Sequence, residues 1–172
     1  YCAGSWRLAR LVAGAVLASI TLTWTSGSWV LERLSGRFER RAFVAVGVVL
    51  TAVGVASVAL ILFEAVPVWW AVIAWGITGF GMGMAYPAYS LIVLSGAAPG
   101  EEGAVSSSLK LNEVLGAALG AGGVGALVAV GDVGGWLSGA LGGGFGLMCA
   151  VLLVGLVLTR RLGTDAEHER VV

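Results

Sequence analysis

The chain has 172 residues, of which 58% are hydrophobic and 12% charged, with ten Lys and Arg matched by ten Asp and Glu. Soluble domains carry about a quarter charged residues, so this charge content and a mean hydropathy of +0.95 describe a surface clothed mostly by lipid. Net charge is zero, so no basic patch argues for nucleic acid and no nucleic-acid partner is expected.

The charged residues fall in clusters, and the clusters delimit the apolar runs. The first run, about 8–31, is interrupted by Arg10 and ends at a burst of charge from Glu32 through Arg33, Gly36, Arg37, Glu39 and Arg40 to Arg41. The second, 42–63, is uncharged and closes at Glu64 and Pro67. The third, 67–94, is again uncharged and gives way to Ser95-Gly-Ala-Ala-Pro99-Gly-Glu101-Glu102-Gly103, a loop by its turn chemistry. The fourth, 104–130, is Gly-rich and holds Lys110 and Glu113. A hairpin over 131–135 leads to the last run, 136–159, and residues 163–172 form a polar tail beyond a bundle spanning 1–162. About 20 residues at 1.5 Å rise cross the hydrocarbon of a bilayer. Long runs that do not alternate are helices rather than barrel strands. The expected class is all-α integral membrane, with about five transmembrane helices.

Arginine and lysine collect on the cytoplasmic side of short loops. If the first helix runs inward, Arg33, Arg37, Arg40, Arg41, Lys110, Arg160, Arg161 and Arg170 lie inside, and only Arg7 and Arg10 outside. That orientation puts Trp6, Trp69, Trp70 and Trp136 at the outer interface, the N-terminus outside and the C-terminus in the cytoplasm. Trp24 and Trp75 are deeper and read as packing. The location expected is the plasma membrane, crossed several times.

Two spans carry polar features. In the third, Gly79 and Gly83 are spaced for close helix approach, and Pro87 cannot donate to the carbonyl of Gly83, so a bend is expected. Tyr86, Tyr89 and Ser90 put polar tips on this Gly/Pro-interrupted helix, which reads either as a cavity wall or as a kinked packing element. In the fourth, Glu113 lies about 15 Å from a start near Gly103, near mid-membrane, on one stripe with Gly116, Ala117 and Gly120. An ionised carboxylate there needs a partner or water. It reads either as a proton-titrating or cation-recognising site, with Asn112 beside it, or as a local pair with Lys110. Further GxxxG spacings at Gly135/Gly139, Gly139/Gly143 and Gly142/Gly146 are expected to pack helices. Cys2 and Cys149 read as small apolar fillers. His168 stands alone in the tail, and no nucleophile, base and oxyanion set assembles. No metal, cofactor or enzymatic activity is expected.

The cluster Gly27-Ser-Trp-Val-Leu-Glu32-Arg33-Leu-Ser-Gly36-Arg37 resembles the loop signature of the major facilitator superfamily, with Glu32 in place of Asp and one residue inserted before Gly36. Those departures suit the degenerate second-half copy of the signature. The stretch Pro99-Gly-Glu-Glu-Gly103-Ala, Ser106-Ser-Ser and Leu115-Gly-Ala-Ala-Leu-Gly120 looks like the loop and eleventh helix of bacterial drug:proton antiporter-type members. The chain thus resembles helices 8–12 of a twelve-helix transporter, or the last five of a fourteen-helix one. The resemblance implies proton-coupled efflux of a small molecule by alternating access. Glu32, Arg33, Gly36, Arg37, Arg40 and Arg41 would form a loop latch, although the same residues also read as a plain cytoplasmic anchor. Five helices lack the opposing half, so the expected partners are the lipid bilayer, the missing N-terminal half of the transporter, a small-molecule substrate and protons. A second reading is a small structural or channel-forming membrane protein that oligomerises through its Gly-rich helices.

Overall fold

The structure, a computed structural model, describes residues 2–62 and 66–159. Glu64, Arg160, Arg161, His168, Arg170 and the rest of the 163–172 tail lie outside the described residues, as do the side chains of Trp6 and Arg7. The described residues form five helices and no strand: α1 (Cys2–Leu34), α2 (Arg40–Leu62), α3 (Trp70–Ser95), α4 (Glu102–Val133) and α5 (Leu137–Thr159). Each contains a stretch long and apolar enough to cross a membrane. The chain therefore has the character of a multi-pass membrane protein.

Local chemistry explains the helix ends. Pro67 precedes α3, where a missing N–H costs nothing. The carbonyls of Pro67, Val68 and Trp69 accept from the N–H groups of Trp70, Ala71 and Val72 at 2.9–3.1 Å, winding a tight first turn. Gly100 takes a left-handed φ of 89° and its N–H donates to Glu102 Oε2 at 3.0 Å, closing the α3–α4 loop. The hairpin expected over 131–135 starts later: α4 runs on to Val133, and the reversal is made by Gly134 and Gly135, the latter at φ 73°. The N–H of Trp136 caps this turn by donating to the carbonyl of Gly131 at 2.9 Å.

α3 is the hub. Along α1 it is met by Ile20 and Thr23 at Gly79, by Trp24 at Gly83, and by Gly27 at Phe80 and Gly83. Residue numbers rise together on the two helices, so α1 and α3 run parallel. α2 runs antiparallel to α3, with Gly47 against Gly81 and Ala85, and Gly54 against Ala74 and Thr78. At these glycines a Cβ atom would strike the facing backbone, which is how helices without a strong hydrophobic drive come close enough to gain dispersion and hydrogen bonds. α5 runs antiparallel to α4, with Ala140 on Gly131, Leu127 on Gly143 and Val124 on Gly144. It packs on α2 as well. The helices thus alternate in direction, and the α1–α2 turn, the α3–α4 loop and the end of α5 share one end of the bundle. Leu31, Phe43, Val44, Met84, Ala88 and Ile92 make a buried cluster near that end. At the other end Trp69, Trp70 and Trp136 form an aromatic rim, the first two edge to face at 6.4 Å.

Pro87 lies inside α3, and the helix continues through it. Proline at this position deprives the carbonyl of Gly83 of its intrahelical donor. Ser28 of α1 supplies the replacement: its Oγ–H donates to Gly83 O at 3.0 Å, and Trp24 O lies at 3.2 Å from the same hydroxyl. The closest approach of α1 to α3 and the one carbonyl that α3 itself does not satisfy at Pro87 therefore coincide.

Candidate functional site

Between α2, α3, α4 and α5 lies a cleft of about 480 Å³. Val44, Val48, Met82, Ala85, Leu109 and Leu158 give it an apolar wall, and Tyr86, Tyr89, Asn112, Glu113 and Thr159 supply its polar groups. Thr159 ends α5, so the cleft reaches from mid-bundle toward the end that carries the α1–α2 turn.

The centre of the polar wall is Glu113. Eleven residues into α4, it lies about 7 Å along the axis from the middle of that helix. Tyr86, about 5 Å from the middle of α3, donates its phenolic O–H to Glu113 Oε2 at 2.9 Å. Lys110 Nζ donates to the same oxygen at 3.0 Å. The other oxygen, Oε1, accepts no hydrogen bond from any described residue. Trp24 of α1 leans on the Tyr86 ring, with centroids 6.2 Å apart and planes tilted at 49°. A chain of side chains thus runs from α1 through α3 to α4 and ends on an acid–base pair. The Glu113 side chain is 41% exposed and that of Lys110 66%, well inside a helix long and apolar enough to cross a membrane. A charge pair at that depth faces protein or water rather than lipid tails.

Several sequence expectations meet at this site. Tyr86, Tyr89, Asn112 and Glu113 share the cleft wall, Lys110 adjoins it through Glu113, and Gly79, Gly83 and Pro87 shape the helix that presents Tyr86. Gly116 and Gly120 behave differently, since a side chain at either would meet nothing within 4 Å. Among the described residues no helix packs on either glycine. The same openness surrounds Gly142 and Gly146, because α4 touches α5 through Gly131, Gly143 and Gly144 instead. Cys149 is a free, half-buried thiol in α5.

The loop residues stand apart from the cleft. Glu39 pairs with Arg41 at 2.7 Å, and Arg33 lies over the Trp29 ring at 4.6 Å. Glu32 is exposed and makes no ion pair among the described residues. Gly36 is exposed, with open space where a Cβ would sit.

Three features were not legible as parts of one arrangement: the Trp24–Tyr86 contact, the Ser28–Gly83 bond, and Gly47 and Gly54 as contact points. Gly47 and Gly54 lie seven residues apart, two turns of one helix face, which is the signal that marks them. Comparison with protein-family models, with curated proteins and with solved structures found no match to this chain. Among the described residues no three His, Cys, Asp or Glu side chains are grouped so as to hold a metal ion.

Proposed function

We propose that this chain is the C-terminal part of a major facilitator-type transporter that exports a small molecule in exchange for protons, with Glu113 as the titrating group. The observation that carries the reading is a mid-bundle carboxylate, held on one oxygen by Tyr86 and Lys110 and open on the other, at the wall of an apolar cleft. Glu113 and Lys110 together are neutral. A proton on Glu113 leaves an uncompensated ammonium inside the bundle, and Lys110 then moves toward water at the near interface. The single polar tie between α3 and α4 weakens in the same step. Proton occupancy is thereby coupled to the placement of α4, as alternating access requires.

The orientation follows from the arginines. Arg33, Arg37, Arg40 and Arg41 stand at the end shared by the α1–α2 turn and the α3–α4 loop, which we assign to the cytoplasm, with the Trp69, Trp70 and Trp136 rim at the outer face of the plasma membrane. The open stripe of Gly116, Ala117 and Gly120 beside Glu113 is the surface assigned to the opposing half. In the complete transporter, Glu113→Gln is expected to abolish efflux driven by a pH gradient in proteoliposomes while the protein still folds. Efflux that persists at the wild-type rate rejects the coupling role.

That open glycine stripe also favours a second reading, self-association of a short membrane protein through α4. The mass of the native polypeptide in its own membranes separates the two. A band at two to three times 17.4 kDa fits the transporter, and one at 17.4 kDa fits the oligomer.

A further inference from the structure

The α1–α2 turn, which the proposed function uses only to set orientation, holds a feature of its own. α1 ends at Leu34 and closes in a turn: Ser35 N–H donates to Leu31 O at 2.8 Å, and Leu34 O accepts from Arg37 N–H at 2.9 Å and from Phe38 N–H at 3.3 Å. Trp29 and Arg33, four residues apart, share one side of α1, and Arg37 lies exposed in the turn just beyond it. Trp29 is 55% exposed, so this side of α1 faces outward from the bundle. The Arg33 guanidinium lies on its ring. Phe38, exposed as well, stands edge-on to the buried Phe43 at 6.3 Å, which fixes the apolar level of the turn against α2.

Among the described residues neither Arg33 nor Arg37 makes an ion pair or a side-chain hydrogen bond, whereas Arg41 is paired with Glu39. A guanidinium carries five N–H donors in a planar fork that matches a phosphate. Here one such fork lies on an outward-facing indole, a ring that settles at the headgroup level of a bilayer, and the second follows in the exposed turn. Aromatic surface at the headgroup level with unsatisfied guanidiniums just beyond it is the arrangement that takes a phosphate attached to acyl chains, since the chains lie along Trp29 and the phosphate meets the arginines.

We propose that Arg33 and Arg37 bind the phosphate of an anionic phospholipid, with its acyl chains against the outward face of Trp29. The site does not depend on the transport reading, because it uses neither Glu113 nor the cleft.

The test uses the full 172-residue chain in phosphatidylcholine vesicles containing a trace of spin-labelled phosphatidylglycerol or spin-labelled phosphatidylcholine, read by electron paramagnetic resonance as the fraction of label immobilised. The wild-type chain is expected to prefer phosphatidylglycerol, on the order of five-fold for each arginine engaged. The double variant Arg33→Gln/Arg37→Gln is expected to lose most of that preference, and Arg10→Gln, at the opposite end of α1, to retain it. Equal immobilisation of the two labels by the wild-type chain overturns the proposal whatever the variants do. So does a preference that survives in the double variant or falls equally in Arg10→Gln. Inorganic phosphate at 10 mM, as a competitor on the order of typical cellular anion levels, is expected to leave the preference in place. Displacement of the lipid by it assigns the arginines to a free anion instead.

Discussion

α3 and α4 make an instructive pair. The best apolar stretch of α4 is the more hydropathic of the two, yet only 6% of it is buried, against 44% for α3. In water the order would be the reverse, because apolar surface is what drives burial there. In lipid the tails are as apolar as leucine, and helices associate where small residues let backbones touch. α3 offers Gly76, Gly79, Gly81 and Gly83 on two faces, and Thr23, Trp24, Gly47 and Thr51 come down on them. α4 has glycines in plenty, but a side chain at Gly116, Gly120, Gly122, Gly123 or Gly125 would meet nothing within 4 Å among the described residues. Glycine content does not predict burial here; a facing glycine or hydroxyl on the next helix does.

The sharpest way to break this contrast is to fill one glycine on each helix. Gly83→Val drives a side chain into the backbone of Trp24 and is expected to cost about 3 kcal/mol or more, at the upper end of overpacking effects. Gly120→Val enters open space and is expected to change stability by no more than about 0.5 kcal/mol. Thermal unfolding of both variants in the same detergent checks the pair. Equal losses would mean that the stripe on α4 is already covered in the isolated chain.

A smaller effect is expected at Ser28. Removing its hydroxyl strands the Gly83 carbonyl, and Ser28→Ala should cost about 1–3 kcal/mol, the penalty for a buried unsatisfied acceptor. In a Pro87→Ala background the residue at 87 regains an N–H for that carbonyl, so Ser28→Ala should then cost much less. A double-mutant cycle by unfolding measures the difference. Additive effects would show that the serine bond merely accompanies the proline.

Least is expected of the tie between the two regions. Tyr86→Phe removes the hydrogen bond to Glu113 but keeps the ring against Trp24, and should cost about 0.6 kcal/mol, typical of interhelical side-chain bonds in membranes. Hydrogen exchange is expected to speed up in α4 and to stay unchanged in α3. Faster exchange in α3 would mean that the tyrosine supports its own helix rather than holding its neighbour.

The five helices were legible because charge is expelled from hydrocarbon, so Glu32 to Arg41 and Pro99 to Glu102 mark ends that no packing detail can move far. The ends themselves were less so. α1 runs on to Leu34 and α4 to Val133, since a helix does not stop at the hydrocarbon boundary and Gly134-Gly135 is the first place where the backbone turns easily. Tyr86 and Glu113 each stood out as polar groups in apolar runs. Their bond did not, because it joins residues 27 apart and depends on how α4 leans on α3. Ser28 is one of several hydroxyls on α1, and most of the others, such as Thr21 and Ser26, return a hydrogen bond to their own helix. Only the Pro87 carbonyl accounting, read across two helices, singles it out.

The central claim is that α4 turns its Glu113 face to water or protein and its opposite face to lipid. In a Cys2→Ala/Cys149→Ala background, single cysteines placed along α4 can be challenged with a membrane-impermeant thiol reagent in intact membranes. Glu113→Cys, Gly116→Cys, Ala117→Cys and Gly120→Cys are expected to react, while Leu111→Cys, Leu115→Cys, Ala118→Cys and Gly122→Cys, on the other side of the helix, stay unlabelled. Labelling without this helical period, or labelling confined to positions 111, 115, 118 and 122, would contradict the account and turn Glu113 toward lipid with only Tyr86 and Lys110 to hold it.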